Sequence, residues 1–562
     1  MNIKRILTLL LAAALVFGLI GCTPKEDTPS GGTSASGDNA ASGGEKKIIY
    51  AIADDPEEMN PTLNSYSRSS NVLQQLFRGL YKFDVNKQLV PALAESHTVD
   101  DTGTVYTFKL RKDLKWSDGS PLTANDFEYA WKLALTPETA SKSVNFFFYL
   151  KNGKEYYEGT ATIDDVGVKA LDDLTLEVTL NTPTPWLIAL TATTYYMPVC
   201  KAINEQYGLD WAKTAEHYVS SGAYMLKSMN SKEKISMVKN PYYYAADEVK
   251  IDAIDFMIIP DQETQYIAFE NGELTINGDP TPQMITPYKG TAQYNEAIRA
   301  GARHLDVNTA DPIHPEFQDA RVRQALAISI DRKALMDSII RSNEKPIYGF
   351  TPYGIASVTD PTKDFREIVG DVYKEDVAEA QRLLAEAGFP NGEGFPKFRL
   401  ITQTTQLQKD IAQALQSMWS DNLNIECEIK SYEKDYWDEL ENDESFDVGF
   451  CGWTDDYLDP HAHLAIYGIG GNEFEPNWNQ PLADGSYQES VVRYSELVEQ
   501  MVVVTDPVER EKIFIEAEHI LAEVMPTIPL YSYTDFFISK PNLHGVSKNA
   551  LGHINFEYAY FD

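Results

Sequence analysis

Phe446 to Pro460 reads FDVGFCGWTDDYLDP, and the rest of the chain is organised around it. Its first half is apolar enough for a buried strand. Its second half turns acidic and aromatic: Asp455, Asp456 and Asp459 stand beside Trp453 and Tyr457. Acids at the end of a buried strand can face a cleft, and neighbouring rings supply apolar walls. Such a site suits a ligand that is cationic at one point and variable elsewhere. The same window also reads as a solvated acidic junction between strand and loop.

Outward from this stretch, the order of strands and helices describes an α/β body. On its C-terminal side, Glu489–Val504 and Pro507–Glu523 read as helices, and Pro526–Tyr531 as extended chain. On its N-terminal side, Phe398–Thr402, Gln408–Leu423 and Ile425–Ser431 read as strand, helix, strand. Asp319–Ile340 reads as helical, with Asp331 capping a second start, and Asp376–Ala387 as a helix ended by Gly388. Further upstream, strands are expected at Lys46–Ala53, Thr104–Leu110, Val166–Leu171, Leu174–Leu180, Ile235–Lys239 and Ile254–Ile259. Thr123 is placed to cap a helix over Asn125–Leu135. Trp116 and Trp131 read either as core or as ligand contacts.

The 562 residues and 43% hydrophobic content suffice for two or three cores. A formal charge of −36 argues against nucleic acid and against broad adsorption to anionic lipid. Catalytic signatures are missing: there is no GxSxG elbow, no P-loop and no HExxH. Asp455 and Asp456 are adjacent, so on a strand they point oppositely and cannot span a sugar ring as a glycosidase pair. The chain reads as a non-enzyme without cofactor. His461 and His463 with Asp459 could share a metal, but two histidines without a third placed ligand are a weak pattern.

At the N-terminus, Lys4 and Arg5 precede an apolar run over Ile6–Leu19 that is too short for a full membrane span but suits a signal peptide. Leu19-Ile20-Gly21-Cys22 resembles a bacterial lipobox, which implies cleavage after residue 21 and lipidation of Cys22. The lipid would hold the mature chain at a membrane. Thr23–Gly44 is rich in Gly, Ser, Ala and Thr and reads as a tether. Cys200, Cys427 and Cys451 are too few for a disulfide scaffold; one pair could bridge, and the sequence does not choose it.

Motifs spread over Lys46–Asp562 together resemble solute-binding family 5 of ABC importers, in particular its oligopeptide-binding lipoproteins. They are LVPALAE at 89–95, WSDGSPLTANDFEYAWKLAL at 116–135, Gly222-Ala223-Tyr224, Asn240-Pro241-Tyr242 and the 319–332 run. LLAEAGFPNGEGFP at 383–396, GWTDDYLDP, IPLY at 528–531 and Leu551-Gly552-His553-Ile554 follow in order. The resemblance implies a large, three-domain, bilobal periplasmic-binding-protein-like type II fold with hinged lobes and a ligand cleft between them. Residues 1–21 would be signal peptide and 22–45 the lipidated tether. Domain I would comprise 46–67, 190–303 and 524–562, with domain II over 68–189 and domain III over 304–523.

By the same resemblance, an oligopeptide lies extended between the lobes and pairs through its main chain. Asp456 falls where relatives bind the peptide α-ammonium. Cys451, Gly452, Trp453 and Thr454 would offer backbone groups, and Met59 and Asn60 would supply a second backbone segment. Trp453 and Tyr457 would be walls or packing behind the site. Phe450 stands where the enteric relative has a basic residue, and Thr454 where it has a cysteine. The implied partners are a peptide and the transmembrane subunits of an ABC permease, for a monomer on the outer face of the cell membrane. An oligosaccharide, nickel chelate or opine on the same fold, and peptide sensing, remain as alternatives.

Overall fold

The computed structural model describes residues 45–310, 313–433, 436, 446–471, 477–481 and 485–562. Cys22 and the expected signal peptide and tether lie outside them. A mixed sheet of eleven strands runs through Glu45–Asp562. Its path begins with Cys427–Tyr432, Phe398–Gln403 and Val448–Thr454, and passes to the two longest strands, Tyr294–Val307 and Thr527–Ser539. It continues through Ile276–Asn277, Lys47–Ile52, Ala253–Ile258 and Lys234–Lys239 to Tyr224–Asn230.

Two large apolar cores flank the long strands. The first gathers residues between Ile48 and Ile276 and returns to take Phe537, Leu543, Ile554, Phe556 and Ala559. The second lies between Leu305 and Tyr531. The molecule is therefore bilobal, with a large core in each lobe, and Tyr457 and Ala462 from the segment after Val448–Thr454 join the first core. Near the C-terminus Glu557 is locked into the first lobe by Arg78 at 2.8 Å and Lys82 at 2.6 Å. The first lobe also carries a four-stranded antiparallel sheet whose outer pair of edges is Ala94–Val99 and Val168–Asp172.

Local chemistry explains the elements. Val105–Leu110 alternates, sending Tyr106, Phe108 and Leu110 into the core. Thr123 and Asp126 form a reciprocal capping box at the start of Ala124–Leu135. Trp131 on that helix is core, its indole donating to the Tyr196 carbonyl at 2.9 Å, and Trp116 is equally buried. Asp331 caps the Arg332–Leu335 turn, accepting from Ala334 N. Thr405 starts helix Gln406–Leu423, and Asn424 in the left-handed region ends it before the next parallel strand.

Tyr294–Val307 and Thr527–Ser539 cross between the lobes. Tyr294–Ile298 pairs with Thr534–Ile538, beside the first core. Ala302–Asp306 pairs with Thr527–Ser532, beside the second. The register shifts between Ile298 and Ala302 and again between Arg303 and His304. Irregularities of this kind bend a strand and increase its twist. At Gly301 a Cβ would collide with the Trp453 carbonyl and the Tyr533 ring, so only glycine allows the chains to approach this closely.

Candidate functional site

Val448–Thr454 is the strand that carries the site. Through Gly449 it is paired on both edges, by Phe398–Gln403 and by Tyr294–Val307. From Gly452 to Thr454 the described ladder continues on the Tyr294–Val307 side only. The other edge of that stretch can accept an extended chain by main-chain pairing. A side chain at 452 would strike the Tyr533 hydroxyl, which accounts for Gly452. Asp455 N donates to the Ala300 carbonyl at 2.9 Å, prolonging the ladder by one residue before the chain turns.

The acids beyond the strand have separate environments. Asp455 is fully buried, and its Oδ1 lies 3.0 Å from His463 Nδ1. Burial pushes its carboxyl above the usual range while His463 opposes the shift. Asp459 caps Pro460–Leu464 and receives both terminal nitrogens of Arg510, at 2.7 and 2.8 Å. Asp456 is half-buried and makes no hydrogen bond or ion pair with the described residues. Burial, with a smaller contribution from Asp455, pushes its carboxyl up to about 6.

Asp456 opens into a cavity of about 110 Å³ walled by both lobes. Ser65, Ser67, Thr193, Thr194 and Tyr195 come from the first lobe's chain, Thr454, Asp455 and Asp456 from the strand end, and Leu551 and His553 from the C-terminal segment. Burial lowers His553 to about 4, so it is neutral near pH 7 and its ring does not compensate the acids. Hydroxyls and carboxylates around one small cavity suit a cationic hydrogen-bond donor such as an ammonium.

The other expected site residues are distributed as follows. Thr454 lines the cavity with Asp456, and Gly452 belongs to the half-paired edge. Cys451 is buried, and its carbonyl accepts from Arg303 Nη1 at 3.1 Å. Trp453 is half-buried against the second core, and its indole nitrogen makes no hydrogen bond. Phe450 is core, but the Arg303 guanidinium lies over its ring at 5.2 Å, so the neighbouring strand supplies a cation there.

Of the two readings open for Tyr457, its contacts favour packing: it stacks on Trp186 of the first lobe at 5.4 Å and bonds His461 Nδ1 at 2.7 Å. Met59 and Asn60 are buried, and the Met59 carbonyl is taken by the Tyr218 hydroxyl at 2.7 Å. The segment facing Asp456 starts six residues later, at Ser65. His461 and His463 do not converge, since His461 stacks on Trp186 at 4.2 Å while His463 faces Asp455. No disulfide links Cys200, Cys427 and Cys451.

Two lobes with separate cores, two long strands crossing between them, and a polar cavity walled from both sides define a bilobal solute-binding protein of the type II class. Residues 88–474 match the family model "Bacterial extracellular solute-binding proteins, family 5 Middle". The chain belongs to that family. It is 30% identical to the oligopeptide-binding protein OppA of Bacillus subtilis, over 99% of each chain. Among solved structures it resembles a periplasmic oligopeptide-binding protein of Borrelia burgdorferi, with a TM-score of 0.73 and 28% identity over 92% of this chain and 100% of that one. Haemophilus influenzae OppA in complex with RPPGFSPFR gives 0.70 and 26%, over 92% and 99%.

Proposed function

We propose that the protein captures oligopeptides between its lobes and delivers them to the transmembrane subunits of an ABC permease. Asp456 carries this reading: a half-buried carboxylate with no partner among the described residues, in a cavity that both lobes complete. An α-ammonium would satisfy it, while the Gly452–Thr454 edge pairs with the peptide main chain. Main-chain pairing recognises what all peptides share and leaves side chains free to vary. An uncharged sugar would leave Asp456 uncompensated. Cys22 would carry the lipid that holds the chain, as a monomer, on the outer face of the cell membrane. The peptide leaves as it entered, without turnover.

Asp456→Ala tests the assignment by calorimetry with paired peptides. Affinity for peptides with a free amino end should fall by about 3–5 kcal/mol, the loss typical when one member of a buried charge pair is removed. N-acetylated versions, which lack the ammonium, should be affected little. Equal losses for both classes, or none, would overturn the role of Asp456.

A further inference from the structure

The strand that offers its edge to a ligand carries a second constellation on one face. His304 and Cys451 are direct cross-strand partners, and Asp306 lies two residues along the same strand as His304. Alternate residues share a face of a sheet, so the imidazole, carboxylate and thiol project to the same side. Their ligand atoms all lie within 4.8 Å of one another. His304 Nε2 is 3.2 Å from Asp306 Oδ1. The three residues are 2%, 1% and 8% exposed.

Asp306 is the telling member. Among the described residues neither of its buried side-chain oxygens accepts a hydrogen bond, and His304 Nε2 approaches Oδ1 at 3.2 Å. A carboxylate removed from water normally collects several donors, because an unsatisfied buried charge is costly. A divalent ion would take those lone pairs and bind the thiolate and imidazole at the same time. We infer that His304, Asp306 and Cys451 form a binding site for a zinc-class divalent transition metal. Thiolate and imidazole together favour zinc-like ions over magnesium or calcium, which select oxygen. The described residues supply three of the four ligands that a tetrahedral ion takes. On binding, the Cys451 thiol releases its proton to solvent and the sulfur donates an electron pair to the metal, with no change of oxidation state. The ion would clamp Tyr294–Val307 to Val448–Thr454 immediately beside Gly452.

Cobalt(II) is the probe, added to the full-length chain after reduction and treatment with a chelator. Binding of one equivalent with a thiolate-to-cobalt charge-transfer band in the near ultraviolet is the expected result. That band is read on the unaltered protein, so it does not depend on a variant folding. Cys451→Ser should abolish it, and Asp306→Asn should weaken cobalt binding at least tenfold, with both variants keeping a cooperative thermal transition. His461→Gln should change neither quantity. Failure to bind one equivalent at micromolar cobalt, or binding without the thiolate band, would overturn the site. So would binding that survives both Cys451→Ser and Asp306→Asn, or that is lost in His461→Gln.

Discussion

Asp456 and Asp459 stand three residues apart in one loop and have opposite surroundings. Asp459 is gripped by two nitrogens of Arg510, caps a helix turn, and sits under a stack built from Trp186, Tyr457 and His461. Every charge in that seam is compensated inside the protein. Asp456 faces a cavity rich in hydroxyls, with no cation among its described lining residues. The first arrangement joins the lobes by contacts the chain completes for itself, and the second leaves one charge for a solute to complete. A buried acid is thus informative about binding through what fails to accompany it.

The largest effect expected from the seam is that of Arg510→Ala. It leaves Asp459 charged and unpaired, and should lower stability by about 3–5 kcal/mol in urea unfolding. A loss below about 1 kcal/mol would show that the two acids differ less than their contacts indicate. Next comes the pH dependence of Asp456. Its carboxyl holds a proton more tightly folded than unfolded, so the ligand-free protein loses stability as pH rises from about 4 through about 6. Asp456→Asn should remove that slope and stabilise the empty protein by about 1–3 kcal/mol at pH 7 and not at pH 3.5. Unfolding midpoints at the two pH values check this, and an unstabilised variant at pH 7 would break the contrast. The smallest effect is that of Tyr457→Phe, which removes the hydroxyl that bonds His461 and should cost about 1 kcal/mol. Peptide affinity should be unchanged, because the ring is part of the seam and outside the cavity.

Much of this was legible in the sequence. The strand Val448–Thr454 announces itself by its apolar run, and the acids that follow by their abrupt change of character. The helix after Thr123 was readable from its cap, a local hydrogen bond that fixes the start, whereas the one after Thr405 was read from its apolar spacing and placed two residues late, at Gln408. The Tyr294–Val307 strand was not expected. Its sequence, YNEAIRAGARHLDV, mixes charge, alanine and glycine without alternation, because it passes from one core to the other across a register break. No single face of it is uniformly buried, so period-two reasoning has nothing to detect. Ser65, Ser67 and Thr193–Tyr195 were missed for a related reason. They lie in a loop, at the first residue of the helix Ser67–Leu76 and in a short turn, and only tertiary contact brings them to Asp456. For Tyr457 the sequence left wall and packing open, because it does not reveal that Trp186, far away in the chain, covers the ring.

The lobes share hydrogen-bonded sheet across their junction in place of a flexible linker. Paired strands resist stretching and sliding far more than they resist bending, so the register break leaves relative motion close to one angular coordinate. The apparatus then behaves like a pair of tongs: whatever fits the jaws is reported outward as a single opening angle. On the proposed function, a permease that gauges that angle would tell loaded from empty without touching the cargo, and cargoes of many kinds would become one signal.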